Sequence, residues 1–130
     1  MRVLALSLLA FTLTARAVAE EVPVASAQQV LDEVNAARAA RGLRPYVLDE
    51  TLAQGATACA IQRARTRNAG HTSNDFGFLP PGASARAAGC AAWPVGMGWG
   101  SCCTYDNYTF AGAGYCVGAD GRRYMHIFVR

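Results

Sequence analysis

Only two imidazoles are available to this chain, His71 and His126, which stand 55 positions apart. Neutral imidazole nitrogens ligate metals, shuttle protons, or pack and hydrogen-bond inside a core. A catalytic zinc takes three protein ligands and keeps one position open. Two histidines therefore need a third donor, and Asp75, four residues after His71, supplies one if its loop turns back. No C-x2-C pair exists to hold a structural zinc. Histidines on separate elements are more often packing or hydrogen-bonding residues than ligands. The expectation is thus no cofactor, with zinc on His71 and His126 as the alternative, and His126 as a half-buried strand residue satisfied by a hydrogen bond.

Other chemistries find less support. A serine or cysteine nucleophile needs a base within hydrogen-bond reach and usually a third orienting group, and no local motif around Ser73 or Ser101 supplies them. Asp75, Asp106 and Asp120 could form a carboxylate pair, but each stands beside turn-forming residues, where Asp serves the backbone. The five cysteines, Cys59, Cys90, Cys102, Cys103 and Cys116, are the disulfide candidates. Two bridges and one leftover thiol are expected, the odd cysteine being able to link two chains into a dimer. Adjacent Cys102 and Cys103 in an extended segment point to opposite faces and should take different partners; spacing alone does not fix the connectivity.

Disulfides imply an oxidising compartment, and the N-terminus agrees. Arg2, an apolar run from Val3 to Leu13 and Ala17-Val18-Ala19 ahead of Glu20-Glu21 form the three parts of an export signal. The run is too short to cross a bilayer, which takes roughly 20 apolar residues, and no later segment approaches that length. Residues 1–19 are expected to be a signal peptide and 20–130 a single domain, secreted or periplasmic, with no membrane span in the mature chain. All twelve basic residues are Arg, and removing Arg2 and Arg16 lowers the formal charge from +3 to +1. No basic patch remains to attract nucleic acid.

The candidate residues must be positioned by a small set of elements. Ser26-Ala-Gln-Gln29 has the form of a capping box, and Val30, Val34 and Ala37 share one face of a helix reaching Arg41 before Gly42. Asp49 caps a second helix with Leu52, Ala56, Cys59, Ala60 and Arg63 at helical spacing, ended by Gly70. From His71 to Gly100 the chain is rich in Gly, Pro, Ser and Asn and reads as loop, with one helical turn near Ala83 to Ala88. Thr109 to Val117 and Arg122 to Val129 form a hairpin about Gly118–Gly121. In its second strand Tyr124, His126 and Phe128 alternate with Met125, Ile127 and Val129, so both faces are apolar and the strand is central. The fold class is α+β, two helices on a small antiparallel sheet. Trp93 and Trp99, among glycines and cysteines, either plug the sheet or form an aromatic ligand loop.

Several of these features coincide in a way that resembles the CAP superfamily of cysteine-rich secretory and plant pathogenesis-related proteins. Val34-Asn35-Ala36-Ala37-Arg38, Gly42-Leu43-Arg44-Pro45-Tyr46, Leu48-Asp49, and Gly70-His71 are similar to the opening of that domain. Ala111-Gly112-Ala113-Gly114-Tyr115 and Arg123-Tyr124-Met125-His126-Ile127-Phe128 are similar to its closing strands. The resemblance implies an α-β-α sandwich with a surface cleft that in many members holds two His and two Glu. His71 matches the first cleft histidine and His126 is a positional substitute for the second, but the sequence has no Glu after Glu50, so the cleft glutamates are missing. The candidate cleft is His71, Asp75, His126 and Trp99. The leading functional expectation is a secreted CAP-like binding module without catalysis, acting on an extracytoplasmic ligand or protein. A metal-dependent hydrolase on His71, Asp75 and His126, and a disulfide-linked structural module, are the alternatives.

Overall fold

The computed structural model describes residues 25–100 and 103–130; the expected signal peptide and Cys102 lie outside the described residues. Helix α1 spans Ala27–Ala39 and opens on the anticipated capping box: Gln29 N donates to Ser26 Oγ at 3.2 Å, and Ser26 N donates to the Gln29 side chain at 2.9 Å. Strand β1 is short, Val47–Leu48. Helix α2, Glu50–Thr66, starts where Asp49 accepts from Thr51 N and Leu52 N. It stops at Arg67, which adopts a left-handed conformation with φ 52°, three residues before the expected Gly70. A 3₁₀ turn, Asp75–Phe78, follows, then strands β2 (Ala87–Pro94), β3 (Phe110–Val117) and β4 (Arg122–Val129).

The sheet has the order β1-β3-β4-β2, with β4 antiparallel to both neighbours and therefore internal, as its two apolar faces demand. Two features depart from the sequence reading. The sheet is mixed, because β1 runs parallel to β3; such a pair needs a long crossover, which α2 and β2 provide. Strand β2 lies where loop and a helical turn were expected. Its Ala-Ala-Gly-Cys-Ala-Ala run has no polar alternation and weak strand propensity, so only its pairing with β4 makes it a strand.

Alternation along β4 builds three layers. Tyr124, His126 and Phe128 face α2, where Phe128 packs with Leu52, Ala56 and Cys59. Met125, Ile127 and Val129 face the other way, into a cluster with Val30, Leu31 and Val34 of α1. Facing α2, β3 offers Gly112 and Gly114, and a Cβ on Gly112 would meet Ala53 N at 1.9 Å. The absent side chains let the helix axis settle directly onto the strand. Buried side chains such as Leu31, Leu52 and Phe128, all at 0% exposure, each contribute about 1.5–3 kcal/mol of transfer free energy.

The segment between β2 and β3 is tied down on the α1 side. Arg38, 1% exposed, donates to Arg44 O at 2.7 Å, Thr104 O at 2.8 Å and Asp106 O at 2.9 Å, with its guanidinium 3.6 Å over the Tyr46 ring. Asn35 exchanges two hydrogen bonds with the Tyr46 backbone, at 2.8 and 3.0 Å. Burial pushes the Tyr46 hydroxyl up to about 12, so it stays protonated and directs its hydrogen toward Cys103 O, 2.5 Å away. The sequence pattern Asn-x-x-Arg followed by Tyr is therefore an anchor for this loop.

Candidate functional site

The segment after α2 is folded around one carboxylate. Asp75, 3% exposed, accepts from His71 Nδ1 at 2.7 Å through Oδ2, and from Thr72 N at 3.1 Å and Thr72 Oγ1 at 2.7 Å through Oδ1. Burial alone would raise its pKa; the bonds from Thr72 and His71, with the field of His126, outweigh it and hold the carboxyl below the usual range. Asp75 thereby fixes the His71 ring and its tautomer, leaving Nε2 outward on a side chain 48% exposed.

His126 lies behind this dyad. Its ring centroid is 6.1 Å from that of His71, nearly perpendicular at 82°, and 4.7 Å from Phe128. It is 0% exposed, and neither ring nitrogen has a hydrogen-bond partner among the described residues. The expected satisfying hydrogen bond is not made, because Gly114 and Cys90, its cross-strand neighbours on that face, present no side-chain oxygen. Burial drives its pKa down to about 4, opposed by Asp75 and reinforced by Arg63 and His71. Phe76, half exposed, packs against Phe128 with ring centroids 5.5 Å apart and planes tilted by 54°.

Arg63 supports all of this from α2. At 1% exposure it donates from Nε to Gly70 O at 3.1 Å, from Nη1 to Met125 O at 2.6 Å and from Nη2 to Ala69 O. It therefore joins the helix, the His71 segment and the central strand through main-chain carbonyls. Arg63→Met would leave the buried Met125 carbonyl short of a partner, at about 1–3 kcal/mol, and release the Ala69 and Gly70 carbonyls, on exposed residues, to water. Urea denaturation should show a loss of about 2 kcal/mol, and the amides of residues 69–75 should exchange faster with solvent. A variant within 1 kcal/mol of the parent would refute this role.

The structure brings His71, Asp75 and His126 together and leaves Trp99 apart. Trp99 is 4% exposed and lies on the opposite side of the sheet, among Val30, Tyr46 and Ile127, with Nε1 donating to Glu33 Oε2 at 3.2 Å. Trp93 stands at the end of β2, 36% exposed. Sequence reasoning missed Thr72, Phe76 and the supporting role of Arg63. The Thr72-x-x-Asp75 spacing was the available signal for the first, and a cation on the apolar face of a helix for the last. Two concavities along α2, about 370 Å³ beside Ala27 and Glu50 and about 340 Å³ beside Arg67 and Cys116, lie away from His71.

Fit to zinc can be tested on the donors. His71 Nε2 and one His126 nitrogen could ligate, but both Asp75 oxygens are committed to His71 and Thr72. Among the described residues no group of three or more His, Cys, Asp or Glu is placed to hold a metal ion. The set falls one ligand short of a catalytic zinc site.

The model of the cysteine-rich secretory protein (CAP) family matches residues 31–91. Residues 31–91 belong to the CAP family by this match. The match begins in α1, contains the Asn35, Arg38 and Tyr46 anchor together with His71 and Asp75, and ends within β2, short of His126. No match is found among the curated proteins. Within this CAP domain the helix–strand–helix layers carry the first histidine on the α2 exit and the second on the internal strand, and no glutamate follows Glu50 to accompany them. No described helix is long and apolar enough to cross a membrane.

Proposed function

We propose that this CAP domain is an extracytoplasmic binding module that does not turn over its ligand, and that it binds at the His71–Asp75–His126 cleft. The observation that carries the reading is His126: a buried imidazole with two unpartnered nitrogens behind an exposed imidazole held rigid by a carboxylate. Buried polar atoms are nearly always satisfied, and an exception in a native structure calls for an explanation. A ligand that hydrogen-bonds to His71 Nε2 and reaches past it toward His126 supplies one.

Catalysis has less support. A base and its orienting carboxylate are present in His71 and Asp75, but a triad also needs a nucleophile in contact with the base, and among the described residues the hydrogen bonds of His71 run to Asp75 alone. The test uses the full chain with a panel of peptides and cell-wall oligosaccharides, read by the imidazole resonances of His71 and His126 and by product formation. Saturable shifts without product, lost in His71→Ala, are expected. Turnover that disappears in His71→Ala would overturn the reading. A parallel titration with Zn²⁺ alone separates the hydrolase alternative, since a true site binds stoichiometrically and releases protons.

A further inference from the structure

We propose that Cys59 and Cys90 close a disulfide between α2 and β2, stapling the segment that carries His71 and Asp75. This inference does not depend on the binding reading above. Its basis is where the two layers meet. Cys90 stands directly opposite His126, and Ala88 directly opposite Phe128, so all four share the face turned to α2. Cys59 packs against Phe128 with Ala88 at the edge of the same cluster. One helical turn later Arg63 reaches Met125 O and, at 3.5 Å, Ala91 O. α2 itself lies over β3 and β4, and its Cys59 turn reaches past β4 toward residues 88–91 of β2, where Cys90 is the cysteine on the face turned to the helix.

The sulfurs themselves face one short segment. Cys59 Sγ–H donates to Asp75 O at 3.4 Å, and Cys90 Sγ–H points to Ala69 O at 3.9 Å. Each thiol also lies close enough for the charge of Cys90 to act on Cys59. The other described cysteines are badly placed for Cys59. Cys103 is buried on the α1 side of the sheet, and Cys116 pairs across from Tyr124 on the far side of β4, near Ala64.

Closure breaks two S–H bonds and forms one S–S bond; the two protons and two electrons pass to an oxidising disulfide such as that of glutathione, which leaves as two thiols. The attack needs a thiolate, and burial pushes the Cys59 thiol up to about 12. The bond therefore forms before α2 and β2 finish packing, and it is slow to re-form in the folded protein once reduced. The closed loop contains both His71 and Asp75, so the staple limits how far the site can open.

The experiment is to fold the full chain in a glutathione redox buffer, block thiols with N-ethylmaleimide under denaturing conditions without reductant, and map peptides by mass. Trypsin alone does not suffice, because no Arg or Lys lies between Arg86 and Arg122; chymotrypsin is added to cut after Trp99 and Tyr105. The expected product is the Cys59 peptide joined to the peptide ending at Trp99, lighter by two hydrogens than the sum. Cys59→Ala and Cys90→Ala should each lower Tm by a similar shift of roughly 10 °C or more, with no further shift in the double variant. Maleimide on Cys59 in the unreduced protein, or Cys90 joined to the Cys102–Cys103 or Cys116 peptide, would overturn the assignment.

Discussion

Gly112→Ala is expected to remove much of the folding stability of this domain, at least about 3 kcal/mol, the upper end of what overpacking costs. The reason is the identity of the atoms in the way. A Cβ at this position meets Ala53 N at 1.9 Å, Leu52 C at 2.3 Å and Ala53 Cα at 2.6 Å, all main chain of α2. A side chain could rotate aside; a helix backbone cannot. Relief requires α2 to lift from β3, which would open the contacts of Leu52, Ala56 and Cys59 with Phe128 and draw Arg63 away from Met125 O. Gly114→Ala meets Thr57 Cα and N at 2.6 Å and should behave alike, whereas Gly98→Ala, with nothing within 4 Å, should change stability by less than about 0.5 kcal/mol. Urea denaturation of the three variants measures this directly. A Gly112→Ala protein within 1 kcal/mol of the parent would mean that α2 is not seated on the strand as described.

Because native stability is only about 5–15 kcal/mol, the same close approach explains what the sequence could and could not disclose. Helix starts were legible since Ser26 and Asp49 satisfy the first amides with their own side chains, a local device. The hairpin was legible since Gly118–Gly121 makes the turn and β4 alternates two apolar sets. Strand β2 was not, for its alanines carry no period and its structure comes from β4. Nor could the end of α2 be read at Gly70, because Arg67, a non-glycine residue in the left-handed region, ends it while Arg63 O accepts from Asn68 N at 3.0 Å.

At the site, Asp75 was a candidate third ligand on condition that its loop turns back toward His71, and the loop does turn back. The carboxylate, however, meets the imidazole itself, which makes Asp75 an orienting group. Trp99 was legible as a sheet plug but not the face it fills, because spacing within a loop does not say which side of the sheet a residue will reach; Glu33 on α1 decides it. In a linear reading Arg63 is a cation on an apolar helix face and Arg38 part of a short motif, and neither shows its partners. Only the fold shows that each is a buried clamp on three carbonyls drawn from two separate segments.

Acidification from pH 6.5 to 4 is expected to remove about 3 kcal/mol of stability through His126 alone, at 1.36 kcal/mol per pKa unit. In the unfolded chain this imidazole takes up a proton near 6.5; in the fold, burial holds it neutral down to about 4. Between those values the unfolded state binds one more proton than the native state, so stability rises with pH and is lost as pH falls. The groups facing His126 set the boundaries of that window. Asp75, held below the usual carboxylate range, is still ionised across it and loses its own contribution only at lower pH; the Cys59 thiol stays neutral. His126→Leu, close in volume and free of both orphaned nitrogens, should be as stable as the parent or more so at pH 7. It should also lose about 3 kcal/mol less on acidification. Urea midpoints at pH 7, 5.5 and 4.5 for the two proteins give the answer, and an equal slope in both would place the titrating group elsewhere. If the leucine variant gains stability and loses ligand, then the uncompensated imidazole is retained in this CAP domain for binding, at a cost in stability that the rest of the core has to offset.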